Sequence, residues 1–207
     1  MKIVINAEKS NLIIFRQHKL RKPYNKKLTL FNQDIPVVSD AKYLGITFND
    51  QLKWSKHIKT SLNKARGAFF ALKPLLNHQS KLDLTNKLKL YKMCIRPIIT
   101  YASPTWNNAP KYLTDQLNVF QNKVLREIAG APLFFVTSRL HKELKIDKLN
   151  DYIMKLNASF YKKATSCSTA NFNSIFNFQL IDEDAKYNPI TNFFISDAVL
   201  SKYFTGP

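Results

Sequence analysis

Long apolar runs are missing from this 207-residue sequence. A helix that crosses a membrane needs about 20 consecutive apolar residues, and no stretch of the chain approaches that length. The opening residues, Met1 to Asn6, include no apolar stretch as long as a secretory signal requires. We therefore expect an intracellular protein that is not secreted and has no membrane-spanning segment.

Cysteine and histidine are also scarce. Cys94 and Cys167 are far apart and outside any CxxC spacing, so the sequence encodes neither a disulfide framework nor a thiolate zinc site. The histidines are His18, His57, His78 and His141. They occupy separate predicted elements and share no ligand spacing, so no metal or other cofactor is expected on them.

Acidic residues are few relative to basic ones. The chain has 32 Lys and Arg against 14 Asp and Glu, a formal charge of +18. Such a field destabilises a compact chain by self-repulsion unless a polyanion relieves it. The excess is +8 in residues 1–60, +7 in 61–110 and +5 in 111–163, whereas 164–207 carry −2. We expect nucleic acid or an anionic membrane as partner, bound against the first three-quarters of the chain.

The first fifty residues alternate short β-rich runs with turn-forming residues. The predicted strands cover residues 2–6, 11–15, 28–31, 35–38 and 43–48, and a turn is predicted at 32–34. Together these runs predict a small, largely antiparallel sheet.

After Trp54 the apolar residues recur every three or four positions, the period of a helix with one buried stripe. The four stripes are Ile58, Leu62, Ala65, Phe69, Leu72 and Leu76; Leu84, Leu88, Tyr91, Ile95 and Ile98; Leu113, Leu117, Phe120, Val124 and Ile128; and Leu149, Tyr152, Ile153, Leu156 and Phe160. Ser80 or Asp83 is the predicted N-cap of the second helix, and Pro97 is expected to kink or end it. Gly130 is expected to end the third in the left-handed conformation.

Three groups of motifs follow one another along the chain. The first is NAEK and NLIIF (6–9, 11–15); the second is KYLGITF, LKW and HI (42–48, 52–54, 57–58); the third is LYKMCIRPIITY, PTW, VFQNK and LREIAGAP (90–101, 104–106, 119–123, 125–132). Each motif is weak alone, but their order and spacing are specific. Over roughly residues 3–155, the chain resembles the closing part of a jockey-type non-LTR retrotransposon reverse transcriptase, an RNA-directed DNA polymerase.

The resemblance implies an α+β fold in which a small, largely antiparallel, palm-derived sheet is followed by a helical thumb bundle. It places the end of the palm in residues 1–53 and the thumb in 54–132. Beyond the thumb, the sequence pattern itself predicts accessory helices in 133–164 and a poorly defined segment in 165–207. The implied partners are an RNA template and a DNA primer, gripped as a hybrid duplex, and the remainder of the polymerase chain. The expected location is a nuclear or cytoplasmic ribonucleoprotein.

The resemblance also implies roles for single residues. It places Lys9 near an incoming triphosphate, whereas the residue alone is equally consistent with a turn cation. It makes Tyr43, Leu44 and Gly45 the primer grip, and the alternative is an ordinary strand with a glycine kink. Polymerases of this family hold Mg²⁺ on clustered palm carboxylates. The acids of residues 1–60 are Glu8, Asp34, Asp40 and Asp50. Because these four are isolated, no catalytic residue or metal site is predicted in this chain.

Basic residues form rows on two consecutive predicted helices. The rows are Lys59, Arg66 and Lys73 on the first helix and Lys89, Lys92 and Arg96 on the second. Such rows can follow a phosphate backbone, because each contact releases a condensed counterion. A charge row is usually only a solvated face, but rows almost without acids on neighbouring helices favour nucleic-acid binding.

Two other functions stay open. The chain could be a self-sufficient basic RNA- or DNA-binding module without polymerase ancestry. It could also lie on a membrane surface through its basic helices, although their apolar stripes are narrow for that role. The acidic cluster at 182–184 is predicted to be a solvated loop. Trp54, Tyr101 and Trp106 are predicted to pack internally rather than to stack on bases.

Overall fold

The computed structural model describes residues 6, 9–15 and 27–165, and the chain divides into two compact units, residues 1–57 and 58–207. Almost all of the predicted strand at 2–6 lies outside the described residues. The same holds for residues 166–207, including the acidic cluster at 182–184.

Short strands make up the regular structure of the first unit. They are β1 (Leu12–Ile13), β2 (Thr29–Leu30), β3 (Gln33–Asp34), β4 (Val37–Val38), β5 (Asp40–Tyr43) and β6 (Ile46–Asn49). β2 pairs with β3 and β5 with β6, both antiparallel, whereas β1 and β4 are parallel. The described strands thus form three separate two-stranded sheets, where the sequence predicts one. Strands of two to four residues offer too few ladder hydrogen bonds to join into a wider sheet.

Both antiparallel pairs are hairpins with two-residue turns. Phe31 and Asn32 have φ of 51° and 60°, and Leu44 and Gly45 have φ of 46° and 82°. Positive φ at both central residues defines the turn whose twist matches paired strands. The predicted single strand over 43–48 is therefore wrong, because Leu44 and Gly45 divide it. The predicted turn at 32–34 is displaced toward the N-terminus, because only Asn32 of its three residues lies in the turn.

Aromatic side chains and ion pairs help to hold the first unit together. Phe48 makes edge-on contacts with Phe15 and with Trp54, at centroid distances of 6.3 and 5.8 Å. Lys56 Nζ lies 2.9 Å from Asp40 Oδ2. Trp54 is buried, which confirms its predicted packing role.

The rest of the described chain is helical. The helices are α1 (Ser55–Leu76), α2 (Leu84–Leu90), a π-helical turn (Tyr91–Ile95), α3 (Arg96–Thr100), α4 (Lys111–Ala129), α5 (Thr137–Glu143) and α6 (Leu149–Thr165). In the second unit α4 is central, because it lies against α2, α5 and α6. Phe69 of α1 also meets Phe120 of α4 edge-on at 6.4 Å.

The apolar stripes are largely buried, but the prediction is wrong for Leu84, the first residue of the second stripe, which is 44% exposed. All five residues of the α4 stripe are buried, and so are Ile58, Leu62, Ala65 and Leu76 of the α1 stripe. The prediction for α6 is wrong at its end, because Phe160 is half exposed and Tyr161 is buried instead. The buried face of α6 runs through Asn157, a polar residue that a search for apolar periodicity passes over.

The helix ends settle three predictions. The Asp83 side chain accepts a hydrogen bond from the Thr85 amide at 2.9 Å, so Asp83 is the N-cap of α2. Gly130 ends α4 in the left-handed conformation with φ of 64°. Pro97 does not end the second helix, because the π turn precedes it and α3 continues to Thr100. A π turn already bonds N–H groups to carbonyls five residues back, as Arg96 does to Tyr91.

Candidate nucleic-acid interface

The basic row of α1 is an exposed line of three cations. Lys59, Arg66 and Lys73 are all exposed and seven residues apart. Residues at this spacing drift by only about 20° around a helix and rise about 10.5 Å along it. The whole of α1 contains no acidic residue. The row therefore presents three positive charges along one edge of α1.

Two of these cations have protein partners. Arg66 donates from Nη1 to Asn63 Oδ1 at 3.2 Å, a neutral acceptor that leaves the charge in place. Lys73 Nζ lies 3.8 Å from Glu127 Oε1 on α4, with both side chains partly exposed. A pair this long in solvent is worth little, and phosphate can displace it.

The second predicted row does not form one exposed edge. Lys89 is exposed, whereas Lys92 and Arg96 are partly buried. The guanidinium carbon of Arg96 lies 3.8 Å from the centroid of the Tyr152 ring. The π turn widens the helix between Lys89 and Arg96, so residues beyond it change their angular position. The sequence pattern could not reveal this change.

Two buried polar side chains lie close in sequence to the second predicted row. Burial raises the pKa of Tyr91, which therefore stays protonated. Lys87 is buried and donates from Nζ to the carbonyls of His78 and Ser80 at 3.2 and 3.3 Å. Its charge thus holds the loop after α1 rather than facing solvent.

The candidate residues of the first unit are exposed. Lys9 is exposed, and its backbone N–H donates to Asn6 Oδ1 at 3.3 Å. Tyr43, Leu44 and Gly45 form the end of the β5–β6 hairpin, with Tyr43 and Leu44 66% and 71% exposed. The hairpin thus presents these three residues together at one turn.

The two aromatic side chains at the ends of the segment 101–106 differ: one is packed and the other is half exposed. Trp106 is buried and donates from Nε1 to the Tyr101 carbonyl at 2.9 Å, which confirms its predicted packing role. Tyr101 is half exposed, so the packing prediction is wrong for its side chain. Ser103, also buried, donates to Asn157 Oδ1 at 2.7 Å. The segment is therefore anchored on α6.

Sequence reasoning missed a groove in the second unit. Its volume is about 610 Å³. It is lined by His78, Val119, Asn122, Lys123, Arg126, Glu127, Gly130, Ala131 and Leu133. Most of these residues belong to the motifs VFQNK and LREIAGAP (119–123, 125–132), but neither motif alone indicates a groove.

Metal-ligand clusters and membrane-spanning helices are both absent from the described part of the chain. Among these residues no three His, Cys, Asp or Glu side chains cluster as metal ligands. Within the same residues, no helix has the length and apolar character that a bilayer crossing requires.

Comparisons with known proteins identify relatives among mobile-element polymerases. The chain is 31% identical over 163 residues, 78% of its length, to a probable RNA-directed DNA polymerase from transposon X-element of Drosophila melanogaster. It is 30% identical over 127 residues, 61% of its length, to the RNA-directed DNA polymerase from mobile element jockey of Drosophila funebris. The chain is a relative of the jockey-type retrotransposon polymerases. The resemblance inferred from the three motif groups is confirmed.

The match covers only a small part of each relative, including a third one. The chain is 31% identical over 117 residues, 56% of its length, to a probable RNA-directed DNA polymerase from transposon BS of Drosophila melanogaster. The matched segment spans only 17%, 14% and 13% of these three polymerases. The relatives thus indicate a fragment of a retrotransposon reverse transcriptase. No family model and no solved structure matches the chain.

Proposed function

We propose that this chain is the part of a retrotransposon reverse transcriptase that grips the template-primer duplex, an RNA template paired with a DNA primer. The observation that carries the proposal is the acid-free helix α1, with Lys59, Arg66 and Lys73 exposed along one line. The relatives named above support the class of ligand, because each is an RNA-directed DNA polymerase.

The dimensions of the row suit a duplex backbone. Lys59 and Lys73 are fourteen positions apart in α1, which corresponds to about 21 Å along the helix axis. One strand of a B-form duplex carries about one phosphate per 3.4 Å of axis, so the row spans about six phosphates of one strand. Contacts of this kind position the duplex without reading its sequence. A polymerase needs such a grip, because it must hold every template equally well.

The chemistry of nucleotide addition belongs, in this proposal, to the remainder of the polymerase. Two Mg²⁺ ions held on clustered carboxylates align the attacking hydroxyl and stabilise the transferred phosphate. The acids of residues 1–60 are isolated from one another in the sequence. The proposed role of this chain is to hold the primer end, and the metal-binding carboxylates come from outside it.

The test replaces Lys59, Arg66 and Lys73 together by Gln in the full chain and measures binding to an RNA/DNA hybrid by fluorescence anisotropy. We expect weaker binding to hybrids of every sequence. We also expect a shallower dependence of log K on log salt, by about 2.7 if all three contact B-form DNA and in the same direction for a hybrid. Gln keeps the helix, because its helix propensity is close to that of Lys and Arg.

A matched control removes the same charge elsewhere. Lys81, Lys111 and Lys148 are exposed and lie in three different parts of the second unit. Their triple Gln variant should keep most of the wild-type salt slope. The proposal fails if the two triple variants have equal slopes, because net charge would then explain the binding. It also fails if the α1 variant keeps the wild-type slope while its circular dichroism matches wild type.

A further inference from the structure

Two large apolar side chains project into solvent from a tight turn after α4. The Phe135 amide donates to the Pro132 carbonyl at 3.0 Å, so Leu133 and Phe134 are the central residues of a β-turn. Each of the two is 89% exposed. We call residues 132–135 the apolar turn. Two neighbouring large apolar side chains exposed in this way form a candidate interaction site.

The apolar turn is held at both of its ends. On the N-terminal side, Gly130 adopts φ of 64° and the Ala131 amide donates to the Arg126 carbonyl at 3.0 Å. On the C-terminal side, Arg126 Nη2 donates to the Phe135 carbonyl at 3.1 Å and to Thr137 Oγ1 at 2.8 Å. One arginine thus fixes both ends through its backbone and side chain. The turn is preformed, which lowers the entropy cost of binding.

A groove runs beside the apolar turn and is lined by both apolar and charged residues. Leu133 lines it together with Val119, which is half exposed. Lys123, which is exposed, lines it as well, together with the partly buried pair Arg126 and Glu127. The groove can therefore receive a ligand that has an apolar face and a negative charge within a few ångströms of each other.

The positive charge of residues 58–165 favours one class among the ligands that have an apolar face. Residues 58–165 contain 19 Lys and Arg against 6 Asp and Glu. A protein surface that docks by apolar contact would have to be strongly acidic around its contact patch to overcome this field. An unpaired nucleotide satisfies both requirements at once, because its base has an apolar face and its phosphate is an anion.

We propose that the apolar turn is a base-stacking element that contacts unpaired nucleotides, with Phe134 and Leu133 against the bases and Lys123 at the phosphates. Bases inside a duplex are already stacked on each other, so a single strand offers a face at every base, whereas a blunt hybrid offers faces only at its two ends. This surface is distinct from the α1 row, and it rests on the proposed function only for the class of ligand. It gives the chain a preference for a hybrid with a single-stranded template extension over a blunt hybrid.

The test uses the full chain with Leu133 and Phe134 both replaced by Ser. Three labelled probes are compared by anisotropy: a blunt RNA/DNA hybrid, the same hybrid with a short unpaired template extension, and single-stranded RNA. We expect about tenfold weaker binding to the extended hybrid and to single-stranded RNA, since a base stacked on an aromatic ring is worth about 1–3 kcal/mol. Binding to the blunt hybrid and the salt slope should stay at wild-type values.

A control and a direct probe complete the design. Tyr112→Ser removes an aromatic side chain that is 61% exposed on the same helix that precedes the turn, and it should not change the preference for the extension. Phe134→Trp should add indole emission above that of Trp54 and Trp106 in the wild type. Single-stranded RNA should quench this added emission more strongly than blunt hybrid does. The single-stranded probe keeps the inference separate from the grip, because it does not require duplex binding.

Three outcomes would overturn the inference. In the first, the double Ser variant binds all three probes as wild type does, while the α1 triple variant still loses hybrid binding. In the second, the double variant loses blunt and extended hybrids equally. In the third, the free chain dimerises in sedimentation velocity and the double variant abolishes only that dimer, which would make the apolar turn a protein contact. If only the α1 variant loses hybrid binding, the proposed duplex-binding function is still supported.

Discussion

The guanidinium carbon of Arg96 lies over the ring of Tyr152, 3.8 Å from the ring centroid. The contact joins the start of α3 to the first turn of α6. A cation over an aromatic face contributes about 0.5–1 kcal/mol when exposed and about 2 kcal/mol when desolvated. Because Arg96 is partly buried, this contact gives the side chain a stabilising role in addition to any contact with phosphate.

The first prediction is that Arg96 and Tyr152 are energetically coupled. A double-mutant cycle of Arg96→Gln and Tyr152→Leu, followed by urea unfolding, should give a coupling free energy of about 1–2 kcal/mol. Lys89→Gln is the control within the same predicted row, and it should leave the free energy of unfolding within about 0.5 kcal/mol of wild type. A coupling near zero would show that the stacking does not stabilise the fold.

The second prediction contrasts two glycines. At Gly130, φ is 64° and an added Cβ would lie 3.1 Å from His78 Cβ, whereas nothing lies within 4 Å of a Cβ at Gly67 in α1. Gly130→Ala should cost about 1–2 kcal/mol, because the left-handed conformation is unfavourable for alanine. Gly67→Ala should stabilise the chain by about 0.5–1 kcal/mol, because alanine favours a helix interior. Thermal unfolding followed by circular dichroism measures the stability of both variants. If the two substitutions changed stability in the same direction, the prediction would be contradicted.

Local chemistry explains which of these features the sequence could predict. The α4 stripe and its stop at Gly130 follow from helical period and glycine conformation, both of which are local, and both are confirmed. The division of residues 43–48 was not predictable from alternation, because Leu44 is apolar and its positive φ depends on the pairing of Tyr43 with Ile46. A period of two describes a strand and a short hairpin equally well.

The site was predictable to a smaller extent than the helices. The α1 row required only a straight helix, and its three cations are exposed as the spacing predicts. The second row required that α2 continue with ordinary geometry through residue 96, and the π turn intervenes. The apolar turn depends on the anchoring by Arg126, a contact between residues nine and eleven positions apart that no periodic pattern encodes.

The third prediction concerns the buried polar bridge to α6. Asn157 accepts from Ser103 and donates to Asn107 Oδ1, each at 2.7 Å. Asn157→Ala should destabilise the chain by about 1–3 kcal/mol, because it leaves buried polar groups without a partner. The measurement is urea unfolding, with the exposed Asn86→Ala in α2 as a control that stays within about 0.5 kcal/mol. Equal effects of the two changes would mean that water replaces the bridge at no cost.

The fourth prediction concerns the acid side of the pH–stability curve. The hydrogen bond from Lys56 lowers the pKa of Asp40 below its usual value, with a further contribution from Asn49. A lowered pKa in the folded state means that the carboxylate stabilises the fold above the unfolded pKa of about 3.9. That stability is lost as the pH falls through the folded value. Lys56→Gln should raise the Asp40 pKa in an NMR titration of the carboxyl carbon. An unchanged value in that variant would exclude Lys56 as the main cause.

The fifth prediction is that the purified 207-residue chain does not extend a primer. Given a primed RNA template, Mg²⁺ and deoxynucleotides, it should bind the hybrid but add no nucleotide. Two-metal catalysis needs carboxylates that meet at one point, and Glu8, Asp34, Asp40 and Asp50 are separated along the sequence. Asp40 is, moreover, already paired with Lys56 at 2.9 Å. The measurement is a gel extension assay with a known reverse transcriptase as positive control. Templated extension that persists after repurification, and that disappears in an Asp34→Asn or Asp50→Asn variant, would refute the proposed division between grip and catalysis.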